Sequence, residues 1–143
     1  MHIFAFTAAA SAILSLGIAL LTDAFLGERI AILGDWVGLQ LSHNPGIAFG
    51  LHLGPYQDAV IITAILALVW AAHRTARTRI EQVAFGLVIG GGIANAIDRV
   101  LDGVVTDMVQ VGTFPIFNMA DICINVGAGL LLLSLAREWW KGR

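Results

Sequence analysis

Residues 117–136 read FNMADICINVGAGLLLLSLA, apolar or small almost throughout, with a single carboxylate, Asp121, near the front. About 20 such residues make a helix as long as the hydrocarbon core of a bilayer is thick. A carboxylate at that boundary is costly, which makes it a functional candidate by default. A second acid, Asp107 in Val104-Val105-Thr106-Asp107, lies a short loop upstream. Two acids close together at one membrane face suggest a pair that shares a proton.

Outward from this stretch the chain is of one kind. Of its 143 residues 58% are hydrophobic and 13% charged, against about a quarter charged in a soluble domain. The reading is an integral membrane protein of all-α class. Four transmembrane helices are expected at about residues 3–22, 56–73, 80–98 and 116–137, in a single domain spanning 1–143. The first apolar run is longer than the core of a cleaved signal peptide and no Lys or Arg precedes it, so it is expected to stay as a helix. A net charge of −2 without a basic patch speaks against a nucleic-acid partner. The lone Cys123 rules out an intramolecular disulfide and reads as a small buried side chain.

The cations set an orientation. Arg74, Arg77 and Arg79 follow span two, and Arg137, Lys141 and Arg143 follow span four, while the other two connections hold Arg29 and Arg99. Cytoplasmic segments are the richer in Lys and Arg, so both termini are expected in the cytoplasm and both acids at the outer face. Trp70 and Trp139-Trp140 read as interfacial anchors. Between spans one and two, residues 29–33 and 36–41 are β-like around a Gly34-Asp35 turn. A small β-rich extracytoplasmic segment at about 28–50 is expected there, resting on lipid or the bundle.

Several polar groups fall at the same depth as the two acids: Asp23, Asn44 with Gly46 in a turn-forming stretch, Asn95, Asp98, Arg99 and Asn118. Taken singly each is ordinary. Asn118 caps a helix, Asp121 pairs with Arg99, Asp98 and Arg99 neutralise each other, and Asp107 is a solvated loop residue. Asn95 is a hydrogen-bonding amide in a helix whose Gly90-Gly91-Gly92 permits close packing. Their concentration on one side is harder to assign to chance.

The order of these motifs resembles one family, the lipoprotein signal peptidases, or type II signal peptidases, of bacteria. Asn44-Pro45-Gly46-Ile47-Ala48-Phe49 resembles its Asn-x-Gly-x-Ala-Phe motif. Residues 90–99 resemble its glycine-rich Asn-x-x-Asp-Arg motif, Val105-Thr106-Asp107 its Val-x-Asp, and Phe117-Asn118-Met119-Ala120-Asp121 its Phe-Asn-x-Ala-Asp. The resemblance implies a multi-pass aspartyl endopeptidase of the bacterial inner membrane. It would remove signal peptides from diacylglyceryl-modified prolipoproteins, cutting before the lipidated cysteine with Asp107 and Asp121 as the dyad. Asn44, Asn95, Arg99 and Asn118 match positions around the substrate, and Asp23 the aspartate that ends the first helix. The chain departs from the pattern at Gly27, where a lysine is usual and Arg29 is the nearest substitute, and at Met108, where an aromatic is preferred.

No cofactor or metal is expected, and the partners are the lipidated prolipoprotein and membrane lipids, with the chain as a monomer. In such a pair one acid holds the proton while the other activates water, and Arg99 is expected to hold loop carbonyls or a lipid headgroup. Two other readings stand beside this one. A transporter subunit would use the same groups as a relay, and an interaction scaffold would present its outer sheet to a partner.

Overall fold

The computed structural model describes residues 1–46 and 54–142. The element order is α1 (His2–Phe25), β1 (Ile30–Leu33), β2 (Val37–Asn44), a short 3-10 turn (Gly54–Tyr56), α2 (Gln57–Thr75), α3 (Arg79–Asp102), β3 (Val105–Val111) and α4 (Met119–Lys141). Each helix, with the 3-10 turn counted into the second, is long and apolar enough to cross a membrane.

The bundle is built around α3, and the reason is legible in its Gly90-Gly91-Gly92 run. Successive helical residues point about 100° apart, so three in a row face three ways. A side chain at Gly90 would collide with Ser11 and Ala8 of α1. One at Gly91 would stand 2.6 Å from the Ala120 carbonyl oxygen of α4, and one at Gly92 would stand 3.5 Å from Ile65 of α2. Gly127 returns the contact from α4, where a side chain would stand 2.6 Å from the Ala84 carbonyl oxygen. Small residues let membrane helices approach closely where no hydrophobic drive separates helix from lipid. On α1 the buried positions Phe4, Ser11, Ser15, Ala19 and Thr22 form a single stripe. Within it the Ser11 hydroxyl donates to the Gly86 carbonyl at 3.3 Å. Cys123 is buried beside Ser15, with Oγ and Sγ 3.9 Å apart.

The sheet is antiparallel in the order β1-β2-β3. The hairpin expected between helices one and two is present as β1 and β2, turning at Gly34, whose φ of 52° suits glycine. The third strand corrects the sequence reading, which placed Asp107 on a loop: Asp107 sits within β3, paired through Ser42 of β2. Pairing across more than sixty intervening residues is invisible to local pattern, and aspartate is a poor strand former. A register shift in β2 between Leu39 and Ser42 marks a bulge, a device that re-aims side chains near functional sites. Residues 47–50, the second half of the Asn44 motif, lie outside the described residues, as does the end of the expected β-rich segment.

Candidate active site

Asp121 is held by its own helix start. Asn118 is the N-cap of α4: its Oδ1 accepts from the Asp121 backbone N–H at 2.9 Å, and the Asp121 carboxylate accepts from the Asn118 N–H at 3.4 Å. This reciprocal box satisfies amides that a helix start otherwise leaves open. From α3, the Asn95 side-chain amide donates to Asp121 Oδ1 at 3.2 Å and accepts from Asn118 Nδ2 at 3.1 Å. The ring Asn95–Asp121–Asn118 joins α3 to α4 at the point where Gly91 allows the backbones to meet.

Asp107 is set by β3. Before α4 begins, Phe117 bridges to β3, its carbonyl accepting from the N–H groups of Val109 at 2.8 Å and Met108 at 3.1 Å. The start of α4 is thereby tied to the strand that carries Asp107. The other end of β3 is fixed by Asp98, whose Oδ2 accepts from the buried Thr106 N–H at 2.7 Å. Met108 is buried against α1, where the Thr22 hydroxyl lies 3.0 Å from its sulfur.

Asp107 is 2% exposed, and one of its oxygens, Oδ1, has no hydrogen-bond partner among the described residues. Its pKa is pushed up to about 6, first by burial and next by the charge of Asp121, against the opposing hydrogen bonds of Asn44 and Asn118. The repulsion puts Asp121 within electrostatic reach. The geometry therefore brings together two carboxylates from a strand and a helix, flanked by three asparagine amides.

The turn begun by Asn44, which also bonds Asp107, is fastened from two helices. Asn44 Oδ1 accepts from the Gly46 N–H at 2.9 Å, Arg99 Nη2 donates to the Gly46 carbonyl at 2.6 Å, and Gln57 of α2 donates to the Pro45 carbonyl at 3.2 Å. Arg99 is thus occupied with a loop carbonyl, and its Nε is unpartnered among the described residues. It makes no ion pair with Asp98 or Asp121. The contact within ion-pair distance among the described residues is His43 Nε2 to Asp23 Oδ1, at 2.8 Å, which links β2 to the last turn of α1. Arg29 does not stand in for the missing lysine. Its guanidinium donates to Gln110 Oε1 at 2.9 Å and the Gly34 carbonyl at 3.1 Å, so it is committed to the sheet.

A family model described as signal peptidase (SPase) II matches residues 4–137. The chain belongs to the signal peptidase II family. Its relatives include lipoprotein signal peptidases from Chlorobaculum tepidum, 34% identical over 93% of each chain, and Shouchella clausii, 38% identical over 80% of this chain and 78% of that one. The protein of the same name from Symbiobacterium thermophilum is 37% identical over 85% and 84%. Among solved structures, a bacterial membrane enzyme with 25% identity superposes with a TM-score of 0.89, covering 100% of this chain and 93% of that one. A second bacterial membrane enzyme, 26% identical, gives 0.83 over 94% and 93%. A signal peptidase II is a protease, and the four apolar helices make this one a multi-pass membrane protein.

Within that family frame, three residues of this site carry a part that sequence reading did not assign. Gln57 holds the Asn44 turn, and Thr106 presents the amide that Asp98 binds. Asn125, four residues after Asp121, donates to the Asp121 carbonyl at 2.8 Å. Asn125 had a signal, an isolated amide in an apolar run. Gln57 and Thr106 had none, because their partners are distant in the chain.

Proposed function

We propose that this signal peptidase II removes signal peptides from diacylglyceryl-modified prolipoproteins, cutting before the lipidated cysteine with water activated between Asp107 and Asp121. One observation carries the reading: a carboxylic acid buried on β3 has its pKa raised to about 6 in part by the charge of Asp121, the acid held at the start of α4 by Asn118. Two neighbouring acids share one proton, and the reaction runs through the form in which Asp107 holds it, which its raised pKa keeps accessible near neutral pH. The Asp107 hydroxyl donates to the scissile carbonyl oxygen and supports the charge that develops there. The Asp121 carboxylate takes a proton from water as its oxygen attacks the carbonyl carbon. That proton then passes to the leaving amine, the carbon–nitrogen bond breaks, and Asp107 recovers its proton from the collapsing intermediate.

Asn95 and Asn118 hold Asp121 to one rotamer, and Asn44 steadies Asp107. Asp23, through His43, and Asp98, through Thr106, hold the strands that carry these groups. The Lys and Arg distribution supports an outward-facing site with both termini in the cytoplasm. Exposed Ile30, Ile32, Leu33 and Trp36 on and beside β1 support a sheet edge resting on lipid. The chain acts as a monomer, all of these groups being supplied by one polypeptide.

Purified protein cleaves a lipidated precursor peptide, and Asp107→Asn and Asp121→Asn each lower the rate by about three orders of magnitude or more, since the pair acts as a unit. Normal turnover by either variant would refute the dyad. A relay in a transporter subunit would give no cleavage even by the wild-type chain.

A further inference from the structure

The end of the bundle opposite the acids carries a feature that peptide cleavage does not use. Between the first turns of α3 and the last turns of α4 lies a groove of about 330 Å³. Its walls are Ile80, Val83, Leu130 and Leu133, and Arg79 and Arg137 stand at it from opposite helices. Both arginines are exposed, and neither makes an ion pair among the described residues. The nearby carboxylate, which bonds the groove-lining Ser134, makes no ion pair with them. Glu81 is turned into the bundle, where Oε2 accepts from the N–H groups of Arg77 at 2.8 Å and Thr78 at 2.9 Å, and Oε1 accepts from the Ser134 hydroxyl at 2.8 Å. Glu138 follows Arg137 directly and so projects from a different face of α4. The positive end of the α3 dipole and the negative end of the α4 dipole both lie at this place and offset each other, so the charge at the groove is that of the two arginines.

We propose that this groove holds one anionic phospholipid, its phosphate between Arg79 and Arg137 and part of an acyl chain along Val83, Leu130 and Leu133. The order of chemistry along the groove, charge at the helix ends and hydrocarbon below, is that of a lipid standing in its leaflet rather than of a free anion. Basic pockets between membrane helices at the interface take such headgroups. A neutral zwitterionic lipid offers the same chains but no net charge to match two unpaired guanidinium groups.

The test compares lipids retained by the purified protein in native mass spectrometry, from micelles holding equal amounts of phosphatidylglycerol and phosphatidylcholine. The wild-type chain keeps one phosphatidylglycerol with a preference of about tenfold or more, each arginine adding roughly fivefold. Arg79→Gln with Arg137→Gln brings the preference close to one. Arg74→Gln with Arg77→Gln removes the same charge at the same membrane face but leaves the preference in place, because Arg74 is stacked 5.5 Å over Trp70 on α2, away from the groove. Peptidase activity of each variant, the site being at the far end, reports that it is folded. The proposal is overturned if the wild-type chain shows no preference, if both double variants lose it equally, or if excess inorganic phosphate displaces the bound lipid.

Discussion

Asp107 carries a stability cost of the kind that the proposed chemistry would use. Its ordinary pKa of 3.8 rises to about 6 in the fold, so the folded chain binds the proton more tightly than the unfolded chain does. The resulting stability is fully present below about pH 4 and is lost as pH rises to 6. Above that, the fold bears the cost of a buried charge, about 3 kcal/mol from a shift of roughly two units. Asp107→Asn keeps the shape and drops the charge. It is expected to raise the thermal unfolding midpoint at pH 7.5, and to leave it nearly unchanged at pH 4, when the two proteins are melted in the same detergent. A variant no more stable than the parent at pH 7.5 would show that the carboxylate is not destabilised there. Asp121 contrasts with Asp107: it sits where a helix N-terminus welcomes negative charge, and its carboxylate accepts from the Asn118 backbone N–H at 3.4 Å. This difference in setting supports distinct roles for two chemically identical groups.

At the scale of elements, the site depends on how closely α3 and α4 approach. The Gly91–Ala120 contact lies one residue before Asp121, so a methyl group there pushes the acid itself. Gly91→Ala is expected to cost about 1–3 kcal/mol through overpacking and to lower peptidase activity at least tenfold. Gly129→Ala on α4 meets nothing within 4 Å and is expected to leave both unchanged. The pair is read by comparing unfolding midpoints and cleavage rates, and equal behaviour would remove Gly91 from the account of the site. This was half legible in the chain. Three consecutive glycines signal close packing, but which helix each one meets follows only from the central place of α3. The third strand was not legible at all. Val104-Val105-Thr106-Asp107 is short and carries an acid, and what makes it a strand is β2 on one side and the Asp98–Thr106 bond at its start.

For the whole molecule, the distribution of cations and the placement of the acids make one consistent arrangement, with Arg79 and Arg137 at one end of the bundle and Asp107 and Asp121 at the other. The proposed orientation is checked by fusing reporters to the C-terminus in a bacterial host. A fluorescent protein that folds only in the cytoplasm is expected to light up, and an alkaline phosphatase that needs the exterior is expected to stay inactive. The reverse pattern would turn the site inward, away from any exported substrate.

What the sequence determined by itself was everything that a single segment decides: four apolar runs of membrane length, a β-like hairpin after the first of them, and a set of acids and amides stranded at one hydrocarbon border. Each of these follows from the cost of moving a residue between water and lipid, which depends on that residue and its neighbours in the chain. Tertiary structure alone decided that Asp107 rides on a strand, that Phe117 pins this strand to the helix of Asp121, and that Arg99 and Gln57 from separate helices hold the Asn44 turn beside Asp107. These are pairings between distant segments, and no local propensity encodes them. They form because buried amides and carbonyls without partners are too costly to leave.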